Sequence, residues 1–423
     1  MQSLWLSLAF AAALLLTVGL KFWLATRQMR HVAAHRAAVP PAFAGTVSLD
    51  AHQKAADYTL VRSRFGLVTL AFGTAVLLGW TLLGGLDVLN AGVRDAVMPR
   101  WGGMAYQLAL LTCFALIGSL LDAPLELYNT FRIEQRFGFN RTSLRLYLAD
   151  AAKGLLVGAL IGLPMAALAL WLMASAGGWW WLWAWVAWVA FQLLILLIYP
   201  TLIAPLFNKF EPLPDESLKQ RVHALMARCG FAAKGLFVMD GSRRSAHSNA
   251  YFTGLGAAKR VVFFDTLLKR LTPGEVEAVL AHELGHFKLR HVPKRMLSVF
   301  TLSLFALGLL GWLSQQQWFY TGLGVTPNLA APNDAVALLL FMLAVPPFGF
   351  LLAPLASRIS RKHEFEADAY ACAQASGRDL ANALLKLHED NAGTLTPDPL
   401  YVSFYYSHPP ASERLAALKL EPT

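Results

Sequence analysis

Cysteine is scarce in this chain of 423 residues, which has three. Cys113, Cys229 and Cys372 are widely spaced, odd in number and in no C-x-x-C pair. That excludes a disulfide framework and a cysteine zinc cluster. Charge is scarce as well. Only 15% of residues are Asp, Glu, Lys or Arg, 56% are hydrophobic, and the mean hydropathy is +0.47, which excludes an ordinary soluble domain. Acids are the rarer sign, 26 against 36 Lys and Arg, giving a formal net charge of +10. No basic stripe interleaved with exposed aromatics accompanies that excess, so no nucleic-acid partner is expected. The basic residues instead flank apolar runs, where they set membrane topology. A signal peptide is also missing: Leu4 to Ala25 lacks a basic start and a small-residue cleavage site, and reads as a retained span.

What is present is apolar sequence in bunches. Seven spans are expected, at Leu4–Ala25, Gly66–Leu86, Met104–Leu121, Gly154–Ser175, Gly178–Tyr199, Ser298–Leu313 and Val336–Ala356. Lys21 is placed to snorkel near the end of the first, and the tryptophans of "GWWWLWAWVAW" suit an interfacial belt. Thr26 to Phe65 carries Arg27, Arg30, Arg36, Lys54, Arg62 and Arg64, whereas Asp87 to Gly103 has only Arg94 and Arg100, and Ser314 to Ala335 has neither Lys nor Arg. The N-terminus is therefore expected outside, with Pro200–Leu297 and Ser357–Thr423 both cytoplasmic. The fold expected is an α-helical polytopic membrane protein with a small α+β domain. It divides into five spans (1–199), the α+β domain (200–297), two spans (298–356) and a C-terminal segment (357–423).

Within 200–297, "PDESLKQRVHALMARCGF" puts Leu218, Val222, Leu225 and Met226 on one helix face. "GLFVMD" reads as a strand, and "NAYFTG" with "RVVFFD" as a hairpin turning at Gly254 and Gly256. In "LTPGEVEAVLAHELGH" a helix starts with Thr272 as N-cap, Pro273 at N1 and Glu275 closing a capping box. His282 and His286, four apart, share a face of that helix, with Glu283 beside them. This is the H-E-x-x-H zinc-hydrolase pattern: two imidazole ligands and a carboxylate placed to take a proton from water.

Such a site needs a third protein ligand. The form with a third histidine after the helix requires Gly at 289 and His at 292. The chain has Leu289 and Val292, with His291 one residue out of register. A distant carboxylate is the better reading. In "SRKHEFEADAYACAQASG", Glu364 and Asp368 are i and i+4 on a helix whose Ala367, Tyr370 and Ala371 suit packing and whose C-cap is expected at Gly377. Glu364 is expected to ligate and Asp368 to fix the tautomer of a ligand histidine. The competing reading is a solvated acidic face paired with Arg361 and Lys362. Glu366 and His363 are weaker candidates.

Taken with other motifs, these residues resemble the CAAX prenyl protease 1 family of integral-membrane zinc endopeptidases. "LYNTFRIEQRFGFNRTS", "PLFNKFEPLPD", "GSRRSAHSNAYFTG", "VVFFDTLL", "AHELGH", "RKHEFEADAYA" and "YSHPPASERL" resemble the family's motifs in order from about Leu120 to Leu415. The resemblance implies seven helices enclosing a water-filled chamber, with one zinc near its cytoplasmic face held by His282, His286 and Glu364. It implies Glu283 as general base, Asp368 in support, and Asn249 on the substrate backbone. It also implies that His408 and Arg414 contact the substrate or its tetrahedral oxyanion. From the residues alone, Arg414 could merely pair with Glu413, and Asn249 could merely cap a turn. The substrates implied are peptides near the C-terminus of membrane-associated proteins, prenylated or not, met at the lipid bilayer. The alanine- and tryptophan-rich composition reads as bacterial. Prenylation can be absent in bacteria, so the peptidase chemistry carries further than the CAAX substrate. Two alternatives stand beside this: a heat-shock-type membrane protease for misfolded proteins, and a transporter or scaffold keeping an inactive site.

Overall fold

A computed structural model describes residues 1–231, 235–253 and 260–418. Among these, seven helices are long and apolar enough to cross a membrane. The first three are α1 (Gln2–Ala34), α2 (Leu49–Trp80) and α3 (Gly85–Tyr128). Then come α4 (Leu144–Ser175) and α5 (Trp180–Ile198). Large apolar side chains such as Leu15, Leu160 and Phe305 lie exposed on the outside of these helices. A helix satisfies its own backbone in lipid, so such a face needs no protein cover.

Two boundaries differ from expectation. Hydropathy carries the second span to Leu86, but α2 stops at Trp80 and the chain turns at Gly84, whose φ of 76° suits glycine. The loop expected over Asp87–Gly103 is instead helical, interrupted where Gly102 adopts φ 78°. A polar stretch that is still helix-competent is invisible to a hydropathy count.

Lys21, near the middle of α1, faces a cavity. This cavity of about 760 Å³ lies between α1, α2 and the C-terminal segment, and the Lys21 ammonium is 4.6 Å from the Phe350 ring centroid. The tryptophans at the start of α5 divide. Trp179, just before the helix, and Trp183 are exposed, whereas Trp181 fills the space left by Gly311.

The signature stretch after α3 ties the membrane helices to the polar block. Glu134 accepts from the Tyr58 hydroxyl at 2.7 Å, and Arg244 grips Asp150 of α4 with two bonds at 2.8 and 3.1 Å. The block itself contains a four-stranded sheet, ordered β1 (Phe210–Pro212), β2 (Gly235–Met239), β4 (Arg260–Phe264), β3 (Ala250–Thr253). β2 and β4 are parallel; the other pairings are antiparallel. The expected hairpin pairing is present, while its turn at Gly254 and Gly256 lies outside the described residues. Helix α6 (Glu216–Arg228) buries Leu218, Val222, Leu225 and Met226 as their spacing predicts.

Helix α7 (Pro273–Lys288) begins with the full capping box: Thr272 Oγ1 accepts from Glu275 N, and Glu275 Oε2 from Thr272 N at 2.8 Å. Such a cap contributes about 1 kcal/mol. The chain then turns through Arg290, at φ 58°, into α8 (His291–Leu313). After α9 (Asp334–Gly349) and a short turn comes α10 (Ala353–Gln374), which carries the second acidic motif. Gly377 is not the C-cap of α10. That helix ends at Gln374, and Gly377 opens α11 (Gly377–Asp390) behind the N-cap Ser376. The cap serine won locally over the glycine.

Candidate metal centre

Helices α7 and α10 pack closely because of one glycine. A Cβ built at Gly285 would lie 3.1 Å from both Cα and carbonyl oxygen of Ala367. Ala367 is fully buried, so the two backbones meet here. That approach sets His282 and His286 against Glu364. His282 Nε2 is 3.2 Å from His286 Nε2, and the Glu364 oxygens lie 3.4 and 3.3 Å from those two nitrogens.

The outer ring nitrogens fix what the inner ones present. His282 Nδ1 lies 2.8 Å from the Asp368 carboxylate, an acceptor only, so Nδ1 carries the proton. His286 Nδ1 lies 3.0 Å from His291 Nδ1, and His291 Nε2 lies 2.9 Å from the Glu366 carboxylate. A neutral His291 donates through Nε2 to Glu366 and accepts at Nδ1, so His286 donates there. With a metal bound, both histidines of the helix would turn a lone pair inward, toward each other and toward a carboxylate. His282 Nε2, His286 Nε2 and the Glu364 carboxylate converge, and buried Glu364 Oε2 has no hydrogen-bond partner among the described residues, with the Arg414 guanidinium 3.8 Å away. Two imidazoles and a carboxylate suit a divalent metal. Metal-free, His282 holds a proton. Burial lowers its pKa, but bonding to Asp368 and Glu364 prevails and lifts it to about 9.

The acids are not a solvated face. Glu364 and Asp368 are 4% and 2% exposed, and Arg361 donates to the carbonyls of Val402 and Tyr406 instead of pairing with them. Glu283 is half-buried beside the cluster. Its burial pushes the carboxyl above the usual glutamate range, against the pull of the two imidazoles. His408, open to solvent, brings Nε2 to 3.4 Å from Glu364 Oε1.

Arg414 pairs with Asp368, not with Glu413. It is buried, and it clamps Asp368 with Nε at 2.8 Å and Nη2 at 2.6 Å. Asn249 is not drawn into this group by any hydrogen bond. It is exposed at the start of β3, its Oδ1 accepting from Ala250 N at 2.8 Å, so the local turn contact is there. Reading the sequence for ligands alone missed His291 as the partner of His286 and Glu366 as the partner of His291. The requirement that each ligand histidine have an outer partner was the available signal, and His291 lies only five residues on.

The comparisons with known proteins agree with one another. Residues 28–209 match the model for the CAAX prenyl protease N-terminal region with five membrane helices, and residues 212–421 match peptidase family M48. The CAAX prenyl protease 1 homolog of Arabidopsis thaliana is 34% identical over 90% of each chain. The chain belongs to the CAAX prenyl protease 1 family. The human homolog is 32% identical, covering 97% of this chain and 95% of its own, and the Saccharomyces cerevisiae protein 33% identical, covering 90% and 88%. A crystal structure of S. mikatae Ste24p superposes with a TM-score of 0.90 at 30% identity over 98% of this chain and 99% of that one. This family member is thus a multi-pass membrane metalloendopeptidase. The heat-shock-type reading is not favoured, because the curated relatives align along nearly the whole chain as CAAX prenyl proteases.

Proposed function

We propose that this chain is a zinc endopeptidase that cuts near the C-terminus of CAAX-type or other membrane-associated proteins, prenylated or not. The observation that carries the reading is the convergence of the His282, His286 and Glu364 ligand atoms at one point. Zinc bound there supplies Lewis-acid activation of water and of the scissile carbonyl. Glu283 takes the proton of the attacking water and returns it to the leaving amine; its raised pKa suits both steps. Asp368 holds the His282 tautomer, and Arg414 holds Asp368. His408, solvent-facing at the edge of the cluster, donates to the developing oxyanion.

The substrate lies as an added strand along β3, which among the described residues has only β4 as a sheet neighbour, with the Asn249 amide on its backbone. The counts of Lys and Arg place the N-terminus outside and both motif-bearing segments in the cytoplasm. In a bacterium the membrane is the inner one.

Glu283→Gln tests the mechanism. Cleavage of a farnesylated C-terminal peptide should disappear while zinc content stays at one per chain; retained cleavage overturns the role of Glu283. Glu364→Ala should lower zinc content, and unchanged content reassigns the third ligand. An unfolded membrane protein cleaved in preference to the farnesylated peptide would displace the CAAX-type substrate.

A further inference from the structure

We propose that His291, His363 and Glu366 form a second divalent-metal site whose occupation inhibits the enzyme. The proposal rests on the reading of His282, His286 and Glu364 as the catalytic ligands. The three outer residues each offer one ligand atom, and these atoms lie within 4.8 Å of one another. His291 is buried, and His363 and Glu366 are half-exposed at its edge. The His363 ring stacks on His291 at 4.1 Å between centroids, tilted by 11°, and makes no hydrogen bond among the described residues. Glu366 Oε2 faces His291 Nε2 at 2.9 Å, while Oε1 has only a distant Lys362 ammonium at 3.7 Å.

Two imidazoles and a carboxylate suit zinc, with water completing four ligands. Tetrahedral zinc sets its ligand atoms about 3.4 Å apart. The two half-exposed side chains can close that gap by rotating, while His291 stays in place.

The sign of the effect follows from proton positions. With the outer site empty, His291 keeps its proton on Nε2, donates a hydrogen bond through it to Glu366, and accepts from His286 at Nδ1. A metal on Nε2 moves that proton to Nδ1 and leaves Glu366 free to ligate. Nothing is oxidised, and no proton is released. But Nδ1–H of His291 now faces Nδ1–H of His286 across 3.0 Å. With His291 held by the new metal, His286 relieves the clash by turning its ring or by moving its proton from Nδ1 to Nε2. His286 then loses its inward lone pair. Outer occupancy therefore opposes inner occupancy, and by linkage the catalytic metal weakens the outer site by the same factor. Two of the three outer ligands are half-exposed against one of the inner three, so the outer ion binds more weakly and acts in excess.

The test uses the full chain in detergent, stripped of metal and titrated with Zn²⁺ against a zinc indicator dye, with peptide cleavage followed in parallel. Two equivalents are expected, the first restoring cleavage and the second, weaker, suppressing it. His363→Phe keeps a ring on His291 and removes the donor. It should bind one equivalent, reach the same maximal activity, and move inhibition to at least tenfold higher zinc. His363→Ala gives the same reading should the phenylalanine variant not fold. A single equivalent in the wild type, or inhibition unmoved in both variants, overturns the proposal. If no peptide is cleaved at any zinc concentration, the functional reading fails, and the stoichiometries of wild type and variant still decide the second site.

Discussion

Gly285 of α7 and Ala367 of α10 touch backbone to backbone, and the distance between the two motif-bearing helices depends on that contact. A methyl at 285 would press at 3.1 Å on the Ala367 backbone, and it cannot be relieved by a side-chain rotation. Gly285→Ala should destabilise by about 1–3 kcal/mol through overpacking. Because it wedges His282 and His286 away from Glu364, zinc content should fall with it. Thermal unfolding in detergent and metal analysis check both; full zinc content in a destabilised variant would separate packing from ligation.

Arg414 and Asp368 form a buried, two-bond pair, with side chains 10% and 2% exposed. Arg414→Ala leaves a buried carboxylate without its partner and should cost about 3–5 kcal/mol. Arg414→Lys should recover only part, since an ammonium cannot make the paired bonds of a guanidinium. Denaturant titration of the two variants makes the comparison, and a lysine variant as stable as the wild type would refute it.

Glu283 must be ionised to take a proton. As the proposed base it works only as the carboxylate, so activity is lost as pH falls through its pKa. The kcat/KM profile should therefore show an acid limb. A profile flat on the acid side would remove Glu283 as the base.

His282 in the metal-free protein holds its proton up to about pH 9. Metal must displace that proton, so binding is weakest at low pH and strengthens as pH rises. Apparent affinity should gain about tenfold per pH unit below that point, levelling off above it. Competition with a chelator of known pH dependence measures the slope; a flat profile would show that His282 binds no metal.

Much of the fold was legible because its signals are local. The capping box of Thr272 and Glu275 and the buried face of Leu218, Val222, Leu225 and Met226 follow from spacing alone. The helix over Asp87–Gly103 was not legible, because its residues are helical without being apolar. Gly377 misled because a glycine after a helix and a glycine opening the next one look alike until Ser376 is seen to accept from Asp379 N.

The sequence by itself determined that His282 and His286 share a helix face and that Glu364 and Asp368 share another, since helical periodicity needs no tertiary knowledge. It also carried the family motifs and the seven apolar stretches. Only the tertiary structure decided that Arg414 faces Asp368, that His291 backs His286, and that Glu366 backs His291. Those partners are 46, 5 and 75 residues apart. A hydrogen bond depends on a few tenths of an ångström, which the packing of α7 on α10 and the turn at Arg290 set, and no spacing rule reaches that far.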